Sequence, residues 1–330
     1  MHHLGVPTTR ALCLVASKSE FVERAWFKSD TYSEQYNFPP NFMIKERCAI
    51  TTRAASSFLR VGQIELFSRK VRNGDEGALE EMKKFLMYCF KREFPDLYEH
   101  ESQDMKPQQL AQQTIKFLKL FSKRQAALVA AWLRVGYVQG NMNSDNCLLA
   151  GITMDYGPFG FVEKYDPLWT PFTSDPQQNF GFERQLLASY VNFATLTKAL
   201  MPIFEDSREM IDELQDVLQN DCKRDLLEAR DLMRQRKLGL SDWSDAANQN
   251  LWSPLYEILP GMDYIIFWRE LSQISLKTLQ TFTEEEVARI FGRAAYDLDL
   301  FYAEKKQKKL LLCVEYLPHL GFFQCFLHLT

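Results

Sequence analysis

Helical periodicity carries most of this chain and breaks once in a way that limits the fold. The apolar run Ala126–Leu133 gives way to GYVQGNMNSDN, rich in Gly and Asn, and soon afterwards to the turn-rich DYGPFGF. Gly and Asn punctuate regular structure, so residues 139–161 read as a long loop set between helices. Upstream, Leu79, Met82, Phe85, Leu86, Cys89 and Phe90 fall on one stripe of a helix over about 75–92, the spacing of an amphipathic surface helix. Residues 108–135 predict one or two more helices. From Ser56, the positions of Phe58, Leu59, Ile64, Phe67 and Val71 suit a helical face. Beyond about 183 the pattern is helical again. Its longest run is Asp206–Arg236, with Asp206 and Glu209 at capping-box spacing and Gly239 past the end.

Strand signals are few. ALCLVA at 11–16 is a short apolar run that reads as a buried strand, and IKERCAITT at 44–52 is a second strand rich in β-branched residues. A polar, aromatic connector around Pro39-Pro40 joins them. Within the loop, CLLA and GITM predict two short strands forming a hairpin. A small sheet, then helices, then a loop with a hairpin, then many helices define an α+β chain with a helix-dominated body.

Composition removes several function classes. The net charge of -4 gives no basic excess for nucleic acid, and the run Lys305–Lys309 reads as a solvated face. Seven cysteines without a CxxC pair fit reduced thiols better than disulfides or a zinc ribbon. Five histidines, two of them at the N-terminus, argue against a His-rich metal site. No apolar stretch reaches the 18 residues of a membrane span.

The chemistry-bearing residues lie in the loop. Asp145-Asn146 sits in its polar part, and Asp155-Tyr156-Gly157 follows the expected hairpin. Magnesium takes hard oxygen ligands, commonly one or two protein groups plus phosphates. An Asn amide oxygen and an Asp carboxylate across a hairpin can hold it against a triphosphate, while a second Asp orients a hydroxyl or accepts its proton. The same residues can also simply close turns. Cys147 reads as core packing, as do Phe159, Phe161, Trp169 and Phe172, although these aromatics could instead line a pocket.

The longer string VGYVQGNMNSDNCLLAGITMDYGPFGFVEKYDP resembles the selenoprotein O family, also called the YdiU family, whose members carry HGVMNTDN, then LG and T, then DYGPFGF. Gly5-Val6-Pro7-Thr8-Thr9-Arg10 is similar to the family's GIPTTRA. Arg53 to Arg60, with Gly62 and Glu65, resembles its pattern of two arginines, a glycine and a glutamate. Lys237-Leu238-Gly239-Leu240, Asp263-Tyr264 and Phe267-Trp268-Arg269 resemble later family segments. The similarity covers about residues 1–300.

That resemblance implies a protein-kinase-like pseudokinase fold that transfers AMP from ATP to Ser, Thr or Tyr hydroxyls of proteins. It assigns Asn146 and Asp155 to Mg2+ or Mn2+, Asp145 to the catalytic base, and Arg53 and Arg60 to the ATP phosphates. Seven residues span about two helical turns, so a helix would put both arginines on one face; a surface salt-bridge face is the alternative for the pair. It further implies residues 1–70 as a remnant of the N-lobe sheet and 71–330 as a helical C-lobe carrying the metal-binding loop 139–161. Expected partners are protein substrates, with no nucleic acid and no membrane insertion. The expected location is intracellular, mitochondrial in a eukaryote and cytoplasmic in a bacterium. Gln139 and Asn141 depart from the family's His and Val or Leu. The family's glycine-rich loop, its Lys and the partner Glu lie upstream of residue 1, so the chain reads as N-terminally truncated, impaired in transfer, and exposing apolar sheet edge near Leu12–Val15. Beyond Tyr302 the similarity fades. A kinase-type phosphotransferase and a catalytically silent nucleotide-binding scaffold are the alternative readings.

Overall fold

The computed structural model describes residues 1–25, 42–97, 106–204, 208–272 and 283–316. The Pro39-Pro40 connector and Asp206 lie outside the described residues. The chain divides into two compact units, Thr9–Ser56 and the remainder.

The smaller unit is an antiparallel ribbon of β1 (Arg10–Ala25) and β2 (Met43–Ala54), in register from Arg10 opposite Ala54 to Ala25 opposite Met43. Two register shifts interrupt it, between Ala11 and Cys13 and between Ala16 and Phe21. The buried strand expected at 11–16 is corrected: Leu12 and Leu14 are 72% and 68% exposed. A two-stranded ribbon has two faces and no second layer of its own, so alternating side chains on both faces meet solvent.

The larger unit is helical. It contains α1 (Val61–Arg72), α2 (Ala78–Glu93), α3 (Pro107–Val135), α4 (Gln185–Leu200), α5 (Arg208–Asp216), α6 (Cys222–Lys237), α7 (Asp245–Ala247), α8 (Ser253–Ile258), α9 (Tyr264–Ser272), α10 (Glu284–Phe291), α11 (Leu298–Ala303) and α12 (Lys306–Tyr316). The architecture is α+β and helix-dominated. Helix α1 starts five residues later than the periodicity from Ser56 suggested. Residues 108–135 form one helix rather than two, starting at Pro107 in the first turn, where its missing N–H costs nothing. Between α5 and α6 one turn widens to π geometry over Val217–Asp221.

Helix α3 joins two cores. Its first half buries Phe117, Leu118 and Phe121 with Phe90 of α2 and Phe193 of α4. Its second half buries Val129, Trp132 and Leu133 with Phe267 of α9 and Phe291 of α10. At 29 residues it is about 44 Å long at 1.5 Å per residue, enough to span both. It ends on Gly136, whose φ of 73° makes the left-handed C-cap that turns the chain into the loop. The solvated face expected at Lys305–Lys309 is corrected at Lys306, which is buried, donates to the Pro260 carbonyl and pairs with Glu304 at 3.2 Å.

Candidate functional site

The loop after α3 is closed at its base by two short strands, β3 (Tyr137–Val138) and β4 (Gly160–Phe161), with Tyr137 opposite Phe161 and Val138 opposite Gly160. The two strands expected at CLLA and GITM do not form. Residues 147–149 run beside the chain entering α1 instead: Val61 N–H donates to Cys147 O at 3.0 Å, and Leu149 N–H donates to Leu59 O at 2.9 Å. Thr153 N–H and its hydroxyl both donate to Pro7 O at 2.9 Å. These partners lie far away in sequence, so local pattern could not reveal them.

Asp145 and Asn146 share one 3-10 turn, Ser144–Asn146. The Asn146 side-chain nitrogen donates to Asn141 O at 3.1 Å, and its backbone N–H donates to Asn143 O at 3.0 Å. Fixing the amide nitrogen leaves Oδ1, a hard oxygen, as the group able to take a cation. Asp145 is exposed, and its carbonyl accepts from Arg60 Nη1 at 3.3 Å. Asp155 lies at the far side of the loop, half-buried, with Oδ1 accepting the Gly157 N–H at 3.3 Å. Next to it, the Tyr156 and Thr8 hydroxyls share a hydrogen bond of 2.6 Å. Among the described residues no three His, Cys, Asp or Glu side chains converge. Asn146 and Asp155 are the pair that could hold an ion in this loop, with water or phosphate oxygens completing its shell.

The two arginines do not share a helix, contrary to expectation. Arg53 lies in β2 of the smaller unit, where Nε donates to Thr9 Oγ1 at 2.7 Å. Arg60 is the N-cap of α1 in the larger unit, in extended conformation. A strand ends and a helix begins between them, which removes the two-turn argument.

Several residues that support the loop were not assigned to the site from sequence. The Ser144 hydroxyl donates to Glu65 of α1. One turn earlier, a Cβ on Gly62 would stand 2.2 Å from Asp145 Oδ1, so the carboxylate can keep this place against α1 only while residue 62 is glycine. Gly140, at φ 77°, has the same need, since a Cβ would stand 1.8 Å from Pro158 O. Helix α4 contributes two amides. Gln185 donates to Tyr137 O at 2.9 Å and accepts from Gln139 N–H at 3.0 Å, and Asn192 donates to Met142 O at 2.7 Å. Seven residues apart, they share one helix face, and they are the only Asn or Gln in α4. Gln139 is buried and accepts from the Tyr137 hydroxyl at 2.7 Å.

Lys237 anchors the start of the loop. Its ammonium donates to Arg134 O at 2.7 Å and to the Tyr264 hydroxyl at 3.1 Å, while Tyr264 donates to Leu133 O at 3.0 Å. It also lies 4.6 Å and 4.5 Å from the Tyr264 and Trp268 ring centres. A cation at the last carbonyls of a helix complements the negative end of its dipole.

Cys147 is buried, and burial pushes its thiol up to about 12, so it packs and does not react. The core reading of Phe159 and Phe161 is corrected: they are 41% and 40% exposed and edge the Tyr137 ring from outside. Among the described residues no helix is long and apolar enough to cross a membrane.

A family model described as Protein adenylyltransferase SelO matches residues 1–309, slightly farther than the motifs reach by eye. The chain is 35% identical over 249 residues to the protein nucleotidyltransferase YdiU of Xanthomonas campestris pv. campestris (strain 8004), covering 74% of this chain and 41% of that protein. The corresponding figures are 32% over 283 residues for the YdiU protein of Aromatoleum aromaticum, with 84% and 47% covered. For that of Rhodopirellula baltica they are 30% over 320 residues, with 93% and 53% covered. The chain thus spans about half the length of the curated relatives it matches. These relatives are bacterial and lend no support to a mitochondrial destination. The chain belongs to the SelO family of protein adenylyltransferases.

Proposed function

We propose that this chain carries the metal and acceptor side of a kinase-like protein adenylyltransferase, which moves AMP from ATP to Ser, Thr or Tyr hydroxyls of other proteins. The observation that carries the reading is the pinned Asn146 amide. In the same turn stands an exposed Asp145, and Asp155 lies at the other end of the same closed loop. Asn146 Oδ1 and Asp155 would hold Mg2+, with Mn2+ as an alternative; the ion neutralises phosphate charge and orients the triphosphate. Asp145 accepts the proton of the attacking hydroxyl. The hydroxyl oxygen bonds to the α-phosphorus, the bond from that phosphorus to the bridging oxygen breaks, and pyrophosphate leaves. Arg60, tied to the carbonyl of Asp145, would meet phosphate oxygens in a fork that a lysine cannot form. Arg53 is the second phosphate contact we assign.

A γ-phosphoryl transfer would use the same ligand types; membership of the SelO family favours the α-phosphate. The discriminating experiment supplies ATP labelled at either the α- or the γ-phosphate with magnesium and a protein acceptor. Label on protein from the α-position, at the low level expected of an impaired chain and lost in Asp155→Ala, is the expected result. Label from the γ-position would replace this reading with a kinase.

A further inference from the structure

Away from the loop, the C-terminal end of α6 and the start of α8 enclose a cavity of about 220 Å3, open to solvent and lined by Arg234, Asn248, Trp252, Ser253 and Tyr256. Its wall is shaped by a π turn over Asn248–Trp252 between α7 and α8, the kind of widened turn that recurs at functional sites.

The arginine in this cavity is incompletely neutralised. Asp231 Oδ1 is already held by Arg230, through Nε and Nη2 each at 2.8 Å, and reaches Arg234 Nη1 only at 3.5 Å. Arg234 Nε is buried with no acceptor. The guanidinium lies over the Trp252 ring, 4.7 Å from its centre, which fixes its plane while leaving its edge for ligands. Glu183 is the other charged neighbour. Burial pushes its carboxyl above the ordinary range, against the pull of Tyr256, Arg234, Tyr165 and Arg230, which weakens it as a counter-charge. The remaining polar lining groups are neutral: a hydroxyl on Ser253 and an amide on Asn248 can donate, while the Tyr256 hydroxyl is hydrogen-bonded to Glu183.

We infer that this cavity is a binding site for a single carboxylate, gripped by the edge of Arg234 and the neutral donors around it. The Arg234 Nε that lacks an acceptor calls for an anionic oxygen, and the planar fork of arginine suits the two oxygens of a carboxylate. A phosphate dianion fits less well, because the Asp231 carboxylate already lies 3.5 Å from Arg234 Nη1. The volume far exceeds the ~10–15 Å3 that a single water requires, so a carboxyl group on a short stem has room. The source is either an acidic side chain of a protein or a free small carboxylate, and the site needs no ATP.

Calorimetric titration of the full chain at constant ionic strength tests this, with N-acetyl-glutamate amide standing for an acidic side chain, succinate for a free carboxylate, and inorganic phosphate. Saturable binding of either carboxylate, weakened at least tenfold in Arg234→Met, supports the site, and the better of the two identifies the source. Should Arg234→Met melt early, the paired change Asn248→Ala with Ser253→Ala must weaken the same binding. No saturable carboxylate binding, binding that neither variant alters, or tighter binding of phosphate would overturn the inference.

Discussion

Gly62 and Lys237 bear on the site without reacting in it. A methyl group at residue 62 would stand 2.2 Å from Asp145 Oδ1 and 3.3 Å from the Asp145 backbone nitrogen. The exposed Asp145 carboxylate must therefore turn aside in Gly62→Ala, and the 144–146 turn must give by a few tenths of an ångström. A displacement of about 1 Å at a reacting group can reduce rate on the order of 10²-fold. Gly62→Ala is thus expected to slow AMP transfer by that order while ATP affinity changes little. Unchanged rates would remove Asp145 from the chemistry. Lys237 gives a pH signature. Burial drives its ammonium well below the ordinary lysine value of 10.5; Arg134 pushes the same way and Glu183 opposes. Between the depressed value and 10.5 the unfolded chain binds the extra proton, so stability rises with pH across that window. Denaturant midpoints measured from neutral pH to about 8 should climb in the wild type and climb less in Lys237→Met. Equal slopes would show that the ammonium titrates normally. The series stops there because buried thiols such as Cys147, raised from 9.0, and then the Tyr264 phenol add contributions of opposite sign above it.

At the scale of elements, the loop owes its shape to its neighbours. Helix α3 delivers its start, α1 braces the 144–146 turn through Glu65, and α4 holds residues 137–142 with Gln185 and Asn192. Groups that orient a metal ligand from one layer out commonly account for 10–100-fold in metal affinity. Asn192→Leu keeps the branched outline of the side chain and removes its hydrogen bond to Met142 O. It is expected to weaken manganese binding about 10–100-fold with an unchanged helical circular dichroism spectrum. Unaltered binding would mean that the loop holds its form without α4. The sequence made the helices and the loop readable because both follow local rules: 3.6-residue periodicity in α2 and α3, and Gly and Asn where the pattern stops. The inner geometry was not readable. CLLA and GITM have strand-like composition, yet their backbone groups are taken by residues 59–61 and by Pro7, contacts that local propensity cannot express. The separation of Arg53 and Arg60 failed for a similar reason, since periodicity alone does not fix where a strand ends and a helix begins.

On the scale of the whole molecule, two apolar cores joined by α3 support the loop that holds Asp145, Asn146 and Asp155, the residues to which we assign the chemistry. The residue types were visible in the sequence, and the family match identifies their context. The depth of support beneath them was not visible, because Gln185, Asn192 and Lys237 look like ordinary polar interruptions of helices until their partners are known. The ribbon of β1 and β2 shows the opposite failure. The run at 11–16 read as a buried strand, whereas Leu12 and Leu14 are exposed, because apolar composition records a capacity for burial and not a partner. The central claim is that Asn146 and Asp155 share one divalent ion in the presence of ATP. Electron paramagnetic resonance of Mn2+ titrated with the chain and ATP measures it directly. The free-ion signal is predicted to fall on adding wild-type chain, with affinity reduced at least tenfold in both Asn146→Ala and Asp155→Ala. Equal Mn2+ affinity in the wild type and both variants would contradict the account.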